Sequence, residues 1–290
     1  MLKINFKKNN DVYERLRHQR MLKKVLKNKL VYVGVIGCLL LALVSIFAPL
    51  LATHDPTEQN IIQRLAKPNS TNWFGTDAFG RDLYSRIIWA TRNTVIIAIS
   101  SILLGMAVGS LIGILAGYKG GWIDTVVMEM INILMTFPTI VLGILILMVI
   151  GGGKLNIILA LGISFMTRFA RLARGETLKM KEAVYVKAAQ AYGASDILII
   201  LRHILPNIAG TLIVSGALWT GTAIRAEAGL SFLGLGVQPP APSWGNLISE
   251  GLDKILDAYW LSMYPAIAIM IAVLSINMLG DGLRDLLDPK

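Results

Sequence analysis

Residues 181–207 read KEAVYVKAAQAYGASDILIILRHILPN and form the longest polar interruption between two apolar spans on the basic side of the chain. Tyr185 to Ala191 is alanine-rich, and alanine is the residue that costs least in a helix. Gly193 supplies a position able to take positive φ and stop that helix. Ser195 or Asp196 then caps a second helix over residues 197–204. Pro206 sits where it would close that helix, because a proline pushes the residue before it out of the helical region. The expectation is a short helix, a turn and a second helix lying outside a bilayer. That shape alone also fits an ordinary connecting loop.

Working outward, the flanks are long and apolar. A bilayer core of about 30 Å needs about 20 apolar residues in a helix. Such runs occur at residues 31–52, 94–118, 130–153, 208–224 and 261–279. A sixth, 155–167, becomes long enough when extended to 173, with Arg168 and Arg171 snorkelling to the interface. The chain therefore reads as an all-α polytopic membrane protein with six transmembrane helices. Composition agrees: 54% of the 290 residues are hydrophobic and 16% charged, with a mean hydropathy of +0.61, which excludes an ordinary soluble core.

Charge sets the orientation. Residues 1–30 carry ten Lys or Arg against Asp11 and Glu14, a net +8 of the chain's +10. A basic tail abutting an apolar span reads as a cytoplasmic anchor rather than a nucleic-acid arm. It is too long and too basic for a cleaved signal peptide. Arg168, Arg171, Arg174, Lys179, Lys181, Lys187 and Arg202 follow the fourth span. Arg225 and Lys254, set against Glu227, Glu250, Asp253 and Asp257, follow the fifth. The positive-inside rule then puts both termini and residues 181–207 in the cytoplasm. The mixed-charge loop at 54–93 faces outward and fits the rule less well.

Catalytic signatures are missing. Gly153-Lys154 is followed by Leu155, and Met148 stands where a P-loop's leading glycine belongs, so ATP hydrolysis is not expected in this chain. There is no HExxH or GxSxG. His18, His54 and His203 fall in three regions, and the lone Cys38 lies in an apolar run, leaving no metal cluster or disulfide framework. The confident spans hold no ionisable group, whereas a self-sufficient secondary transporter usually places one near the midplane. Gly105, Ala107, Gly109, Ser110, Gly113, Ala116 and Gly117 permit close helix packing in the second span, either within the chain or against a second subunit. Residues 226–246, AEAGLSFLGLGVQPPAPSWGN, carry glycines 229, 234 and 236 and prolines 239, 240 and 242. They are expected to break the helix and form a re-entrant or gate-forming segment at the outer face. Residues 72–94 read as a turn around Gly75, Asp77 and Gly80 followed by an amphipathic helix over 83–91.

Four patterns resemble one family. Ala188-Ala189, Gly193 four residues later and Ile204-Leu205-Pro206 resemble the "EAA" loop of ABC importer permeases, with Lys187 at the position that is acidic in the motif. FGTD…GRD…SR in residues 72–94, LSFLGLG followed by PP and WG, and the ending LGDGLRDLLDP are similar to the dipeptide, oligopeptide and nickel branch, in its C-type subunit. The likeness covers residues from about 72 to 290 and leaves the basic tail aside.

The resemblance implies a type I importer permease (MetI-like) fold. Its parts are a tail at 1–30, a first helix at 31–53, an outer loop at 54–93, a permease domain at 94–281 with a coupling loop at 175–207, and a cytoplasmic end at 282–290. It also implies a second homologous permease chain, two ATPase subunits carrying ATP and Mg, an extracytoplasmic solute-binding protein and a bacterial plasma membrane, with no cofactor in this chain and no nucleic acid. Small Ala188, Ala189, Gly193 and Ala194 would dock the ATPase, with Lys187 and Asp196 at the polar rim. Ser231, Phe232, Leu233 and Gly234 are gate candidates. The expected cargo is di- or oligopeptides, with nickel or a metal chelate next. A secondary transporter working without ATP, or a membrane protein that recruits a partner without solute flux, are the readings of other classes.

Overall fold

The computed structural model describes residues 29–287, with side chains from 31 to 284. Residues 1–28 and 288–290 lie outside, and with them nearly all of the basic tail read above as an anchor. The described chain is helical, with one isolated bridge between Thr76 and Asp82. Its helices are α1 (Lys29–Ile46), α2 (Leu83–Lys119), α3 (Gly121–Met135), α4 (Thr139–Ile150), α5 (Lys154–Lys181), α6 (Val184–Ala191), α7 (Asp196–Ile199), α8 (Leu205–Phe232), α9 (Trp244–Leu252) and α10 (Trp260–Leu287). A five-residue π turn, Ile200–Ile204, joins α7 to α8.

Four stretches are long and apolar enough to cross a membrane: Leu83–Lys119, Lys154–Lys181, Asp196–Phe232 and Trp260–Arg284, with the bent pair α3–α4 as a fifth. The first apolar helix, Val31–Ile46, is shorter and bends at Phe47 into a second short helix, Ala48–Leu51. Among the described residues, four or five stretches thus meet the length for a span, against the six expected.

The core is a seam between α2 and α5. Gly105, Gly109, Gly113 and Gly117 recur every fourth residue on one face of α2 and lie against the carbonyls of Gly162, Met166, Ala170 and Arg174 on α5. A Cβ at Gly105 would stand 3.0 Å from the Gly162 oxygen, and at Gly117 3.1 Å from that of Arg174. Small residues at this spacing let two backbones touch. The glycine face is therefore used within the chain, not against a second subunit. Phe165 and Phe169 on α5, Ile97 and Ile102 on α2 and Ile208 and Leu212 on α8 fill the interior beside the seam.

Three expectations need correction. The third span, 130–153, is broken: α3 and α4 meet at 94°. Pro138 has no N–H and drives Phe137 out of helical geometry, while Thr136 Oγ1 donates to the Ile133 carbonyl at 2.7 Å. Pro206 does not close the second loop helix. It sits in the first turn of α8, where its missing N–H does least harm, and the π turn carries the chain through, with Leu205 N–H donating to the Ile200 carbonyl. Asp196–Phe232 consequently forms one 37-residue helical rod. Finally, the rod runs past residue 224 with Gly229 inside it, whereas the helix expected from Leu83 is present and leads without a break into the second span as the start of α2.

At the end opposite residues 182–204, charged side chains are buried together. Asp82 caps α2 by accepting from Ser85 N–H and takes a bond from Asn72 Nδ2 at 2.9 Å. Asp77 pairs with Arg81 at 2.6 Å and Arg86 at 3.0 Å, and Glu250 on α9 pairs with both arginines at 3.0 Å. Gly80 takes φ +73°, and a Cβ there would run into the Asn60 carbonyl. This network clamps the 72–82 turn and α9 to the start of α2.

Candidate coupling site and gate

The loop after α5 is a helical hairpin. Lys181 ends α5, and α6 follows within three residues. Gly193 takes φ +80°, Gly193 N–H donates to the Gln190 carbonyl at 2.9 Å, and Ala194 N–H donates to that of Ala189 at 3.1 Å. This pairing is the glycine-dependent helix stop. Ser195 caps α7 by accepting from Leu198 N–H. Both features are where the sequence placed them.

Lys187, Ala188, Gly193 and Asp196 are exposed, whereas Ala189 and Ala194 turn partly inward onto the core. The expected docking residues are thus split between two faces. Lys187 Nζ lies 2.6 Å from a Glu182 carboxylate oxygen, and this bond holds the Glu182 carboxyl below its ordinary range. The lysine at the motif's acidic position is occupied inside the loop. Sequence reasoning missed the larger exposed surface: Val184, Tyr185, Tyr192, Ile197, Leu198 and Leu201 are all exposed, Tyr192 to 93%. The available signal was that apolar residues in a loop outside the bilayer have no lipid to cover them.

The rod that begins at Asp196 ends at the second candidate region. Ser231 is buried, and its hydroxyl donates to Glu227 Oε1 at 2.7 Å. Thr94 Oγ1 donates to Glu227 Oε2 at 2.8 Å. Glu227 is fully buried, so the expectation of spans without ionisable groups is corrected, because α8 extends past its predicted end. Phe232, Leu233 and Gly234 are exposed, with Gly234 at φ +78° stopping α8 as Gly193 stops α6. Residues 233–243 form an irregular strap, the helix break expected from their glycines and prolines. It is tied by Gly153 N–H donating to the Gly236 carbonyl at 3.0 Å, by Asn93 Nδ2 donating to that of Pro242 at 2.8 Å, and by the Ser243–Asn246 capping box of α9.

Between the hairpin and the strap, α8 and α10 open a cleft of about 480 Å³ lined by Asn207, Gly210, Thr211, Val214, Ser215, Leu218 and Arg284. Asn207, Thr211 and Ser215 stand at four-residue spacing and present a polar face to this cleft.

Residues 109–290 match the model of the binding-protein-dependent transport system inner membrane component. The chain belongs to this family. Residues 17–68 further match the N-terminal transmembrane domain of oligopeptide transport permease C, which carries the family likeness into the stretch that sequence reading had left aside. The chain is 40% identical over 268 residues to the dipeptide transport system permease protein DppC of Alkalihalophilus pseudofirmus, covering 92% of this chain and 88% of that one. It is 41% identical over 253 residues to the glutathione transport system permease protein GsiD of Pectobacterium atrosepticum, covering 87% and 84%. It is also 39% identical over 251 residues to the probable D,D-dipeptide transport system permease protein DdpC of Escherichia coli, with the same coverages. A chain of the MetNI methionine ABC transporter in inward-facing conformations shares the fold, with a TM-score of 0.58 at 18% identity over 70% of this chain and 97% of that one. As a permease of this MetI-like fold, the chain is a non-catalytic, multi-pass inner-membrane component that works with an ATPase and a binding protein.

Proposed function

We propose that this permease is one half of the transmembrane pathway of an ATP-driven importer of di- and oligopeptides. Its expected partners are a second homologous permease chain, two ATPase subunits that hold ATP and Mg, and an extracytoplasmic binding protein. Both termini and the 182–204 hairpin face the cytoplasm of a bacterial plasma membrane, as the excess of Lys and Arg at that end supports. The peptide cargo rests on relatives named for dipeptide and glutathione transport; those names give no support to a nickel cargo.

The observation that carries the reading is continuity. An exposed apolar hairpin, which the ATPase would cover, starts the same 37-residue rod that ends, past Glu227 and Ser231, at the 233–243 strap. Movement imposed on Tyr192, Ile197 and Leu201 is thereby passed to the gate candidates Ser231, Phe232, Leu233 and Gly234, opening the two ends of the pathway alternately. Such a change needs different contacts in the two states, which ATP binding to the partner would supply.

The test is Gly193→Pro or Gly193→Trp in the reconstituted complex. Proline cannot adopt the φ of +80° found there, and tryptophan adds bulk to the docking face. Either variant is expected to insert and hydrolyse ATP while uptake falls tenfold or more, about 1.4 kcal/mol in coupling. Full uptake by both would overturn the assignment of the hairpin. Uptake by the parent complex without ATP would favour a secondary transporter instead.

A further inference from the structure

Tyr118, the penultimate residue of α2, is buried at the end of a helix that otherwise has no sequence connection to the hairpin. Its hydroxyl lies 3.1 Å from Asp196 Oδ1, a bond the phenol donates because the carboxylate only accepts. Gln190 Nε2 donates back to the same hydroxyl at 3.4 Å. Lys181 Nζ donates to the Tyr118 carbonyl at 2.6 Å and stands 5.5 Å from its ring centre. One residue thus touches the end of α5, the end of α6 and the first residue of the α7–α8 rod. Among the described residues, every hydrogen bond between α2 and the α6–α7 hairpin ends on that hydroxyl.

The geometry points to Tyr118 as a positioning residue for energy coupling: it ties the hairpin to α2 so that hairpin motion drives the α2–α5 pair together with the rod. The chain itself attaches the hairpin to α5 and α8 only. Without the phenol hydroxyl the hairpin pivots on those two attachments, and its tilt is no longer passed to the α2–α5 pair. The glycine seam makes this consequential, because α2 and α5 are in backbone contact and move as one body. A merely structural Tyr118 would contribute packing, which phenylalanine retains. The inference rests on the hairpin's role proposed above.

The experiment compares the parent, Tyr118→Phe, Asp196→Ala and the double variant, in complexes reconstituted with the ATPases and the binding protein. Labelled dialanine uptake and ATP hydrolysis are measured together. Tyr118→Phe is expected to lower uptake per ATP hydrolysed at least about threefold, with ATP hydrolysis continuing. The double variant should be no worse than the more impaired of the two single variants, as for two ends of one interaction. An unchanged ratio in Tyr118→Phe overturns the inference, and so do multiplying defects in the double variant. If Gly193→Pro uncouples while Tyr118→Phe does not, only the Tyr118 assignment fails. If neither uncouples, the hairpin reading fails with it.

Discussion

At Glu227, Thr94 and Ser231 donate their hydroxyls to separate oxygens of a fully buried carboxylate, and among the described residues no cation is bonded to it. A buried acceptor removed from such a set leaves its donors unpaired, at about 1–3 kcal/mol. Glu227→Ala should therefore lower the thermal midpoint of the detergent-solubilised permease. Glu227→Gln, which keeps the shape and one carbonyl acceptor, should recover much of the loss. An alanine variant as stable as the parent would contradict this account. Nothing local in the sequence announced the cluster, since Thr94 lies 133 residues from Glu227. What concealed it was the end of α8, placed too early by the glycines that follow. Lys187 stands at the motif's acidic position, and its partner Glu182 lies outside the pattern that draws attention to it.

Between elements, legibility followed the source of each structural signal. The Gly193 stop and the Ser195 cap are enforced by one residue's backbone or side chain, and both were readable. The 94° break between α3 and α4 was not, because the run around Pro138 is apolar enough over its whole length to read as one span. Pro206 was misread for the opposite reason: its local rule is real, but the π turn gives the chain a way past it. The seam of α2 on α5 was half readable, the small residues evident and their partner open. A prediction belongs here. Gly113→Val places methyl groups on the Ala170 carbonyl and forces the two helices apart. Little assembled permease should be recovered in the membrane. Gly175→Val, at a glycine with open space around it, should be recovered at close to parent levels. Equal recovery of the two would show that the seam tolerates separation.

Over the whole molecule, the 37-residue rod spans about 55 Å at about 1.5 Å per residue, long enough to join the hairpin to the strap across a bilayer. Its polar face at Asn207, Thr211 and Ser215 opens into the cleft beside Arg284, while Ile213 is exposed on another side. In a Cys38→Ala background, Thr211→Cys should react with a charged, membrane-impermeant thiol reagent in inverted vesicles, and Ile213→Cys should not, because lipid covers it. Labelling of both or of neither would remove the cleft from the pathway. The π turn at Ile200–Ile204 has a further consequence for this rod. A π turn holds one residue more than the α turn it replaces. Deleting one residue there would restore regular helix while leaving Asp196 and Thr211 in their present rotational phase. The same deletion near residue 210 would swing everything beyond it by about 100° and carry the polar face into lipid. Chain length in the rod is therefore negotiable at this one place, and that is where an alignment of natural relatives should put its gaps.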